Sequence, residues 1–267
     1  MESQLLETAR ASAAAGAQVL RGRWGSRLAV ENKDRFDFVT DADRQAEAAV
    51  LEVIGQRHPD HALLAEESSS GRWRDLCCAP GVTWVVDPLD GTTNFIHGFP
   101  HVAVSVAAVS RGRPLAGVVA DVTKGEEFWA VRGEGAFLGG QRLRTSAQTD
   151  PERALLCTGF PFRDRARLAP YLELFQELFL QVSDVRRAGA AALDLAYVAA
   201  GRAEGFWEMG LKPWDLAAGM LLVEEAGGVV SDFAGGGETL WRGDVVAACP
   251  GLHGLMRAAC ARRFPRG

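Results

Sequence analysis

Residues 84–95 read WVVDPLDGTTNF, and in them Asp87 and Asp90 stand three residues apart. Two carboxylates this close repel each other unless a cation lies between them. Mg²⁺, a hard ion that prefers oxygen ligands, suits such a pair. Gly91 permits a tight backbone, and Thr92-Thr93 can open a helical turn whose free N–H groups face an anion. One short stretch could therefore hold both a metal and a phosphate. Trp84, Val85 and Val86 predict a buried strand. Pro88, with no N–H to give, should stop its ladder. A plain strand, Asx-turn and helix cap would use the same residue types, so the stretch alone leaves both readings open.

Other acids stand where they could join this pair. Glu66 follows an apolar run at residues 61–65, and Asp215 follows Trp214 near a helix start marked by Pro213. An Asp in that position could equally be only a cap. Asp43 falls in the first turn of a helix predicted over residues 42–54 after Asp41, where an acid is favoured without any chemistry. His97 and His101 have a metal-ligand spacing, but Gly98 and Pro100 lie between them and argue against a regular helix. They read as supports of the loop after the acidic turn. Trp129, Trp207, Trp214 and Trp241 read as core or interface.

The elements that must position these residues change style along the chain. A helix is predicted near the N-terminus from Leu5, Leu6, Ala9, Ala13, Val19 and Leu20. Residues 34–39 read as a loop with a brief strand, and residues 68–79 as a loop. Strands are predicted over 102–109, 115–122 and 126–131, close enough in sequence for an antiparallel sheet. Residues 146–151 are polar and aperiodic, a candidate boundary. Beyond it, strands (155–158, 203–207, 229–230, 245–248) alternate with helices (169–182, 190–200, 213–226 and one from 252), the pattern of an α/β unit. The division predicted is residues 1–147, an α+β unit holding metal and phosphate, and residues 148–267, an α/β unit completing the pocket.

Bulk properties narrow the classes. The 267 residues are 48% hydrophobic and 24% charged, as in an ordinary soluble globule. A net charge of −5 leaves no basic footprint for nucleic acid. A phosphorylated substrate would then need positive charge from a bound metal. The five cysteines include no C-x-x-C pair and suit reduced thiols in the cytoplasm. Residues 1–23 do not read as a signal peptide, and no apolar run is long enough to cross a bilayer. Neither a Rossmann glycine pattern nor a P-loop is present, so no nucleotide cofactor is implied.

The run Asp87 to Phe95, DPLDGTTNF, closely resembles the first signature of the inositol monophosphatase family. Trp214-Asp215-Leu216-Ala217-Ala218-Gly219 with Glu225-Ala226-Gly227-Gly228 is similar to its second signature. Glu66-Glu67-Ser68 resembles its acidic pair before a serine. The three occur in the family's order, and the bacterial inositol-1-monophosphatase branch is the most similar.

The resemblance implies a layered α-β-α-β-α sandwich of the sugar-phosphatase type. It implies that Glu66, Asp87 and the Leu89 carbonyl hold one Mg²⁺, that Asp87, Asp90 and Asp215 hold a second, and that Glu66 touches a third, weaker ion through water. Two such ions about 3.5–4 Å apart can stabilise both the attacking and the leaving oxygen of a displacement. Leu89 would use only its backbone oxygen, leaving its side chain free to vary. The group that activates or orients the water is Glu66 or else Thr92 paired with Asp43; sequence does not choose between them. Gly91 and Thr92 N–H groups should meet the phosphate. Glu208, Asp90, Asp215 and the Gly189-Ala190-Ala191 segment should meet the alcohol, with Ala190 standing where many relatives carry a hydroxyl. Lys33 and Asp37 fall in a segment similar to the family's mobile metal-site loop and are assigned no role. Arg186-Arg187 resembles a segment near the family's dimer contact, or is a solvated pair.

The expected activity is Mg²⁺-dependent hydrolysis of myo-inositol monophosphates by direct attack of water. No covalent nucleophile sits in the motifs. Lithium sensitivity and a homodimer follow from the resemblance only. Fructose 1,6-bisphosphate, histidinol phosphate or a nucleotide 3′-phosphate are rival substrates. A protein-docking role with the transcription machinery is a rival of another class.

Overall fold

The structure, a computed structural model, describes residues 2–34, 37–69, 73–161 and 164–265. The side chains of Lys33, Asp34, Asp37 and Cys77 lie outside that description.

The first helix, α1 (Glu2–Arg23), buries Leu5, Ala9, Ala13, Ala17 and Leu20, a stripe recurring every three or four residues. The segment expected to be mostly loop is a hairpin of β1 (Val30–Asp34) and β2 (Asp37–Thr40). Thr40 caps α2 (Asp41–Arg57): its hydroxyl accepts the N–H groups of Ala42 at 3.1 Å and Asp43 at 3.4 Å. Next come β3 (Ala62–Ala65) and a short helix, α3 (Trp73–Cys78), inside the stretch expected to be loop.

The central strand, β4 (Thr83–Asp90), does not stop at Pro88. Asp87 faces Ser105 and Asp90 faces Ala103, so three steps on β4 oppose two on its neighbour. This bulge takes Pro88 and Leu89 out of the ladder, which is why a residue without an N–H is tolerated there. The Leu89 N–H turns instead to the Asp87 carboxylate at 3.0 Å.

After α4 (Thr92–His97) follow β5 (Ala103–Ser110), β6 (Arg113–Asp121), β7 (Glu127–Val131), β8 (Gly135–Leu138) and β9 (Gln141–Arg142). Among the described residues, β3 to β9 form a seven-stranded sheet in chain order. It is antiparallel except where β3 runs parallel to β4.

The rest of the chain gives β10 (Leu155–Thr158), α5 (Leu168–Phe179), β11 (Asp184–Arg186), α6 (Ala191–Ala199), β12 (Gly205–Glu208), α7 (Pro213–Glu225), β13 (Val229–Ser231), α8 (Thr239–Arg242), β14 (Val245–Ala248) and α9 (Pro250–Arg263). Its five strands form a mixed sheet in the order β11-β10-β12-β14-β13.

Layers follow from which faces are apolar. Trp84, Val86, Val104 and Val106 face a core under α1 and α2, while Val85, Ala103, Ala107 and Val109 face a core containing α6 and α7. Burial on both faces makes β4 and β5 almost continuously apolar. Helix α7 touches β4 to β8 on one side and β13 and β14 on the other. The outer face of the small sheet is covered by α5 and α9 around Tyr171, Leu174, Trp207 and Met256. The result is the α-β-α-β-α sandwich expected. Among the described residues no helix is long and apolar enough to cross a membrane.

Candidate metal and phosphate site

A cavity of about 330 Å³ opens where the C-terminal end of β4, the start of α4, the end of β12 and the start of α7 meet. Glu66, Asp87, Asp90 and Asp215 all line it, although Glu66 and Asp215 are far apart in sequence. Asp87 is 1% exposed and Asp90 7%. Burial first, then the charges of Glu66, Asp90 and Asp215, pushes the Asp87 carboxyl well above the usual carboxylate range. Burial and then Asp215 do the same to Asp90.

Each acid is also tied to the backbone. Asp90 accepts the Ala192 N–H at 2.7 Å, joining β4 to the start of α6. Asp215 accepts the Lys212 N–H at 2.7 Å and so caps α7 while also lining the cavity. Four carboxylates and a backbone carbonyl are hard oxygen donors, the set that suits Mg²⁺. They stand around the cavity walls, and no three acid, histidine or cysteine side chains close on one point among the described residues.

Leu89 lines the cavity. Its carbonyl is 3.2 Å from the Thr92 hydroxyl, which donates either to it or to the Asp43 carboxylate at 3.0 Å. The Leu89 side chain is not free to vary: it is 1% exposed and packed in the core under α1 and α2. Truncating a side chain packed this way costs about 2–5 kcal/mol.

Asp43 stands behind Thr92 rather than on the cavity wall, and it is 1% exposed. It takes the Thr40 N–H at 2.9 Å in the capping box of α2 and the Thr92 hydroxyl on its other oxygen. Burial raises its carboxyl above the ordinary value, against the hydrogen bonds that lower it.

Gly91 is left-handed, with φ +91°, and a Cβ there would lie 2.9 Å from the His101 carbonyl oxygen. Only glycine passes this corner without strain. Thr92 and Thr93 in the first turn of α4 line the cavity.

On the far wall, Gly189, Ala191 and Glu208 line the cavity as expected. Ala190 does not: it is 1% exposed and packed in the core, close to Gly91. The turn that aims Gly189 and Ala191 outward carries the residue between them inward. Glu208 is 8% exposed, and its carboxylate makes no hydrogen bond with any described residue. Burial, then Asp194 and Asp215, raises it well above the usual range, and Arg187 pulls it back.

Several lining residues have no site role in the sequence reading, where Arg187 is a dimer-contact or solvated residue. Gly159 directly follows β10, and a Cβ on it would fall 2.1 Å from the Glu208 carboxylate oxygens. Arg187 is the one cationic side chain on this cavity among the described residues. Asn94 lay inside the recognised run; its amide donates to the carbonyls of His101 at 2.8 Å and Ala188 at 2.9 Å, stitching α4 to the far wall. His97 ends α4, while His101 is buried with Nε2 3.3 Å from Asp194 Oδ1. They support this region and lie outside the acid group.

The chain is similar to known proteins over almost its whole length. A sequence profile of the inositol monophosphatase family matches residues 1–263. The chain is 52% identical over 226 residues to the Nus factor SuhB of Pseudomonas aeruginosa, covering 82% of this chain and 81% of that one. Among solved structures it is similar to the extragenic suppressor protein suhB from Bartonella henselae, with TM-score 0.89 and 38% identity over 96% of this chain and 98% of that one. It is also similar to the inositol monophosphatase from Anabaena (Nostoc) sp., with TM-score 0.84 and 35% identity over 97% and 96%.

Proposed function

The chain belongs to the inositol monophosphatase family, and from that premise we propose that it hydrolyses myo-inositol monophosphates to myo-inositol and inorganic phosphate. The observation that carries this reading is the single cavity with Glu66, Asp87, Asp90 and Asp215 on one wall and Glu208 on the other.

Glu66, Asp87, Asp90, Asp215 and the Leu89 carbonyl would hold two or three Mg²⁺ ions. When bound, these supply positive charge for the phosphate, an activated water and stabilisation of the departing alkoxide. The first-turn N–H groups of α4 lack intrahelical partners and would meet the phosphate oxygens with Gly91. The Thr92 hydroxyl would orient the attacking water: it gives its proton to Asp43, leaving its lone pairs to accept from the water. Glu66, which lines the cavity with Asp87, is the rival for this task. Glu208, with Asp90 and Asp215, would accept the ring hydroxyls, and Gly189 and Ala191 would bring the backbone close to the alcohol. Residues 1–147 would carry metal and phosphate, and residues 148–267 would complete the pocket. We place the protein in the cytoplasm as a lithium-sensitive homodimer.

The test is phosphate release with Mg²⁺ from inositol 1-phosphate, histidinol phosphate, fructose 1,6-bisphosphate and a nucleotide 3′-phosphate, for wild type and Asp90→Asn. Inositol 1-phosphate should be turned over efficiently, and Asp90→Asn should lose 100-fold or more, on the order expected for losing a charge-stabilising group. A rate on inositol 1-phosphate far below that on histidinol phosphate would remove the substrate assignment.

The relatives named Nus factor support a second reading, a docking role with the transcription machinery. Co-purification with RNA polymerase that survives Asp90→Asn would support it, and clean pull-downs without association would count against it.

A further inference from the structure

Helix α6 opens on the alcohol side of the cavity, where Ala191 lines it, and is gripped there by the acid wall. The Ala192 N–H, in its first turn, donates to Asp90 Oδ2 at 2.7 Å. Fixing one carboxylate oxygen sets the plane of the group, and so the direction of the other oxygen. The position of this turn is therefore part of the geometry of Asp90.

A second bond holds the same turn from behind. Asp194 is the fourth residue of α6, and its Oδ1 lies 3.3 Å from His101 Nε2. The two side chains are 2% and 8% exposed, and neither lines the cavity. Tyr197, three residues further along α6, sets its ring edge-on to the imidazole with centroids 5.6 Å apart. The imidazole is thus lodged against two residues of one helix face. Its own main chain belongs to the acid wall: the His101 carbonyl accepts the Asn94 amide at 2.8 Å and stands against Gly91. Two residues on, Ala103 pairs with Asp90 across the sheet. The contacts close into a ring, from Asp90 through Ala192 and Asp194 to His101 and back to Asp90. Asn94 holds the segment before the helix, at the Ala188 carbonyl, whereas His101 holds the helix itself.

We propose that His101 and Asp194 are positioning residues for the metal site: their bond fixes the first turn of α6, and the Ala192 N–H passes that position on to the Asp90 carboxylate. The inference deepens the phosphatase reading and rests on its metal site, though not on its substrate. Removing the imidazole takes a donor from a buried carboxylate, lets the turn shift and loosens the hold on Asp90. Partners behind a metal ligand contribute about 10- to 100-fold in metal affinity, and one acting through a helical turn belongs at the low end.

The experiment takes wild type, His101→Leu, His101→Gln and Thr8→Val. A glutamine can place its amide nitrogen near the Nε2 position and keep the bond. Thr8→Val removes another histidine bond, 3.0 Å to His58 Nε2, between α1 and the end of α2 and away from the cavity. Mg²⁺ binding is measured by calorimetry, stability by urea unfolding, and the rate on inositol 1-phosphate as a function of Mg²⁺. His101→Leu should bind Mg²⁺ about tenfold more weakly and need about tenfold more of it for half its maximal rate, with kcat at saturating Mg²⁺ within about twofold of wild type. His101→Gln should recover the wild-type affinity, and Thr8→Val should lose stability while keeping that affinity. If the leucine variant does not fold, His101→Asn, polar but too short to reach Asp194, takes its place with the same expected loss.

Unchanged Mg²⁺ binding in His101→Leu, equal weakening in His101→Gln, or equal weakening in Thr8→Val would overturn the proposal. A wild type that binds no Mg²⁺ would remove the metal reading itself, and this proposal with it. A wild type that binds Mg²⁺ without hydrolysing inositol 1-phosphate would remove only the substrate, and the calorimetric comparison would still decide the role of the pair.

Discussion

Replacing Gly159 by alanine is the sharpest probe of the alcohol side of the pocket. Its φ lies outside the left-handed region, so alanine meets no backbone strain there. The new methyl would begin 2.1 Å from the Glu208 carboxylate, whereas ordinary contact starts near 3.4 Å. The carboxylate must therefore retreat by about 1.3 Å, the gap between those distances. A hydrogen bond from a ring hydroxyl at an ordinary ~2.8 Å would stretch past 4 Å and be lost. A hydrogen bond to a charged group contributes about 1.5–3 kcal/mol, so kcat/KM on inositol 1-phosphate should fall about 10- to 150-fold. Steady-state phosphate release from inositol 1-phosphate and from p-nitrophenyl phosphate, which has no ring hydroxyls, reads this directly. The second substrate should be nearly unaffected, and Glu208→Gln should reproduce the pattern. A Gly159→Ala enzyme that keeps full activity on inositol 1-phosphate, or loses both substrates equally, would refute the role given to Glu208.

The Thr92–Asp43 bond predicts that Thr92→Ala lowers kcat by about 100-fold with KM little changed, and that Thr92→Ser keeps most of the rate. Single-turnover assays in which serine and alanine are equally impaired would exclude the hydroxyl as the orienting group. Burial depresses the His253 imidazole below its ordinary 6.5. The unfolded chain then takes up this proton first, so the contribution of His253 is whole above pH 6.5 and is lost as pH falls through 6.5 toward the folded value. Buried acids such as Asp194 act in the opposite sense. Urea unfolding of wild type and His253→Gln between pH 8 and pH 5 isolates the histidine: the wild type should lose more stability on acidification, and parallel curves would contradict the assignment.

Local chemistry was readable wherever it was written in consecutive residues. The acids at Asp87 and Asp90, the turn at Gly91 and the start of α2 at Asp43 all carry short-range signals. The layered order followed from alternating elements together with the family resemblance. Short elements such as α3, α8, β9 and β11 escaped because they are too brief to show a period. The passage of β4 through Pro88 escaped because a bulge depends on the partner strand, which the local sequence does not encode. Gly159 could not be linked to Glu208, since the contact is made between β10 and β12 after the sheet assembles. A glycine closing an apolar strand was the only hint. Arg187 and the inward turn of Ala190 likewise depend on how residues 187–191 cross the mouth of the cavity.

Helix α7 has consequences for how the chain is made. Residues 213–225 are threaded between both sheets, yet they leave the ribosome after every strand of the large sheet and most of the small one. Until then the inner apolar face of the nascent large sheet has at most α6 for cover, a condition that favours aggregation or chaperone capture. Asp215 travels on the same late segment, so synthesis delivers Glu66, Asp87 and Asp90 first and their fourth companion only when that face is sealed.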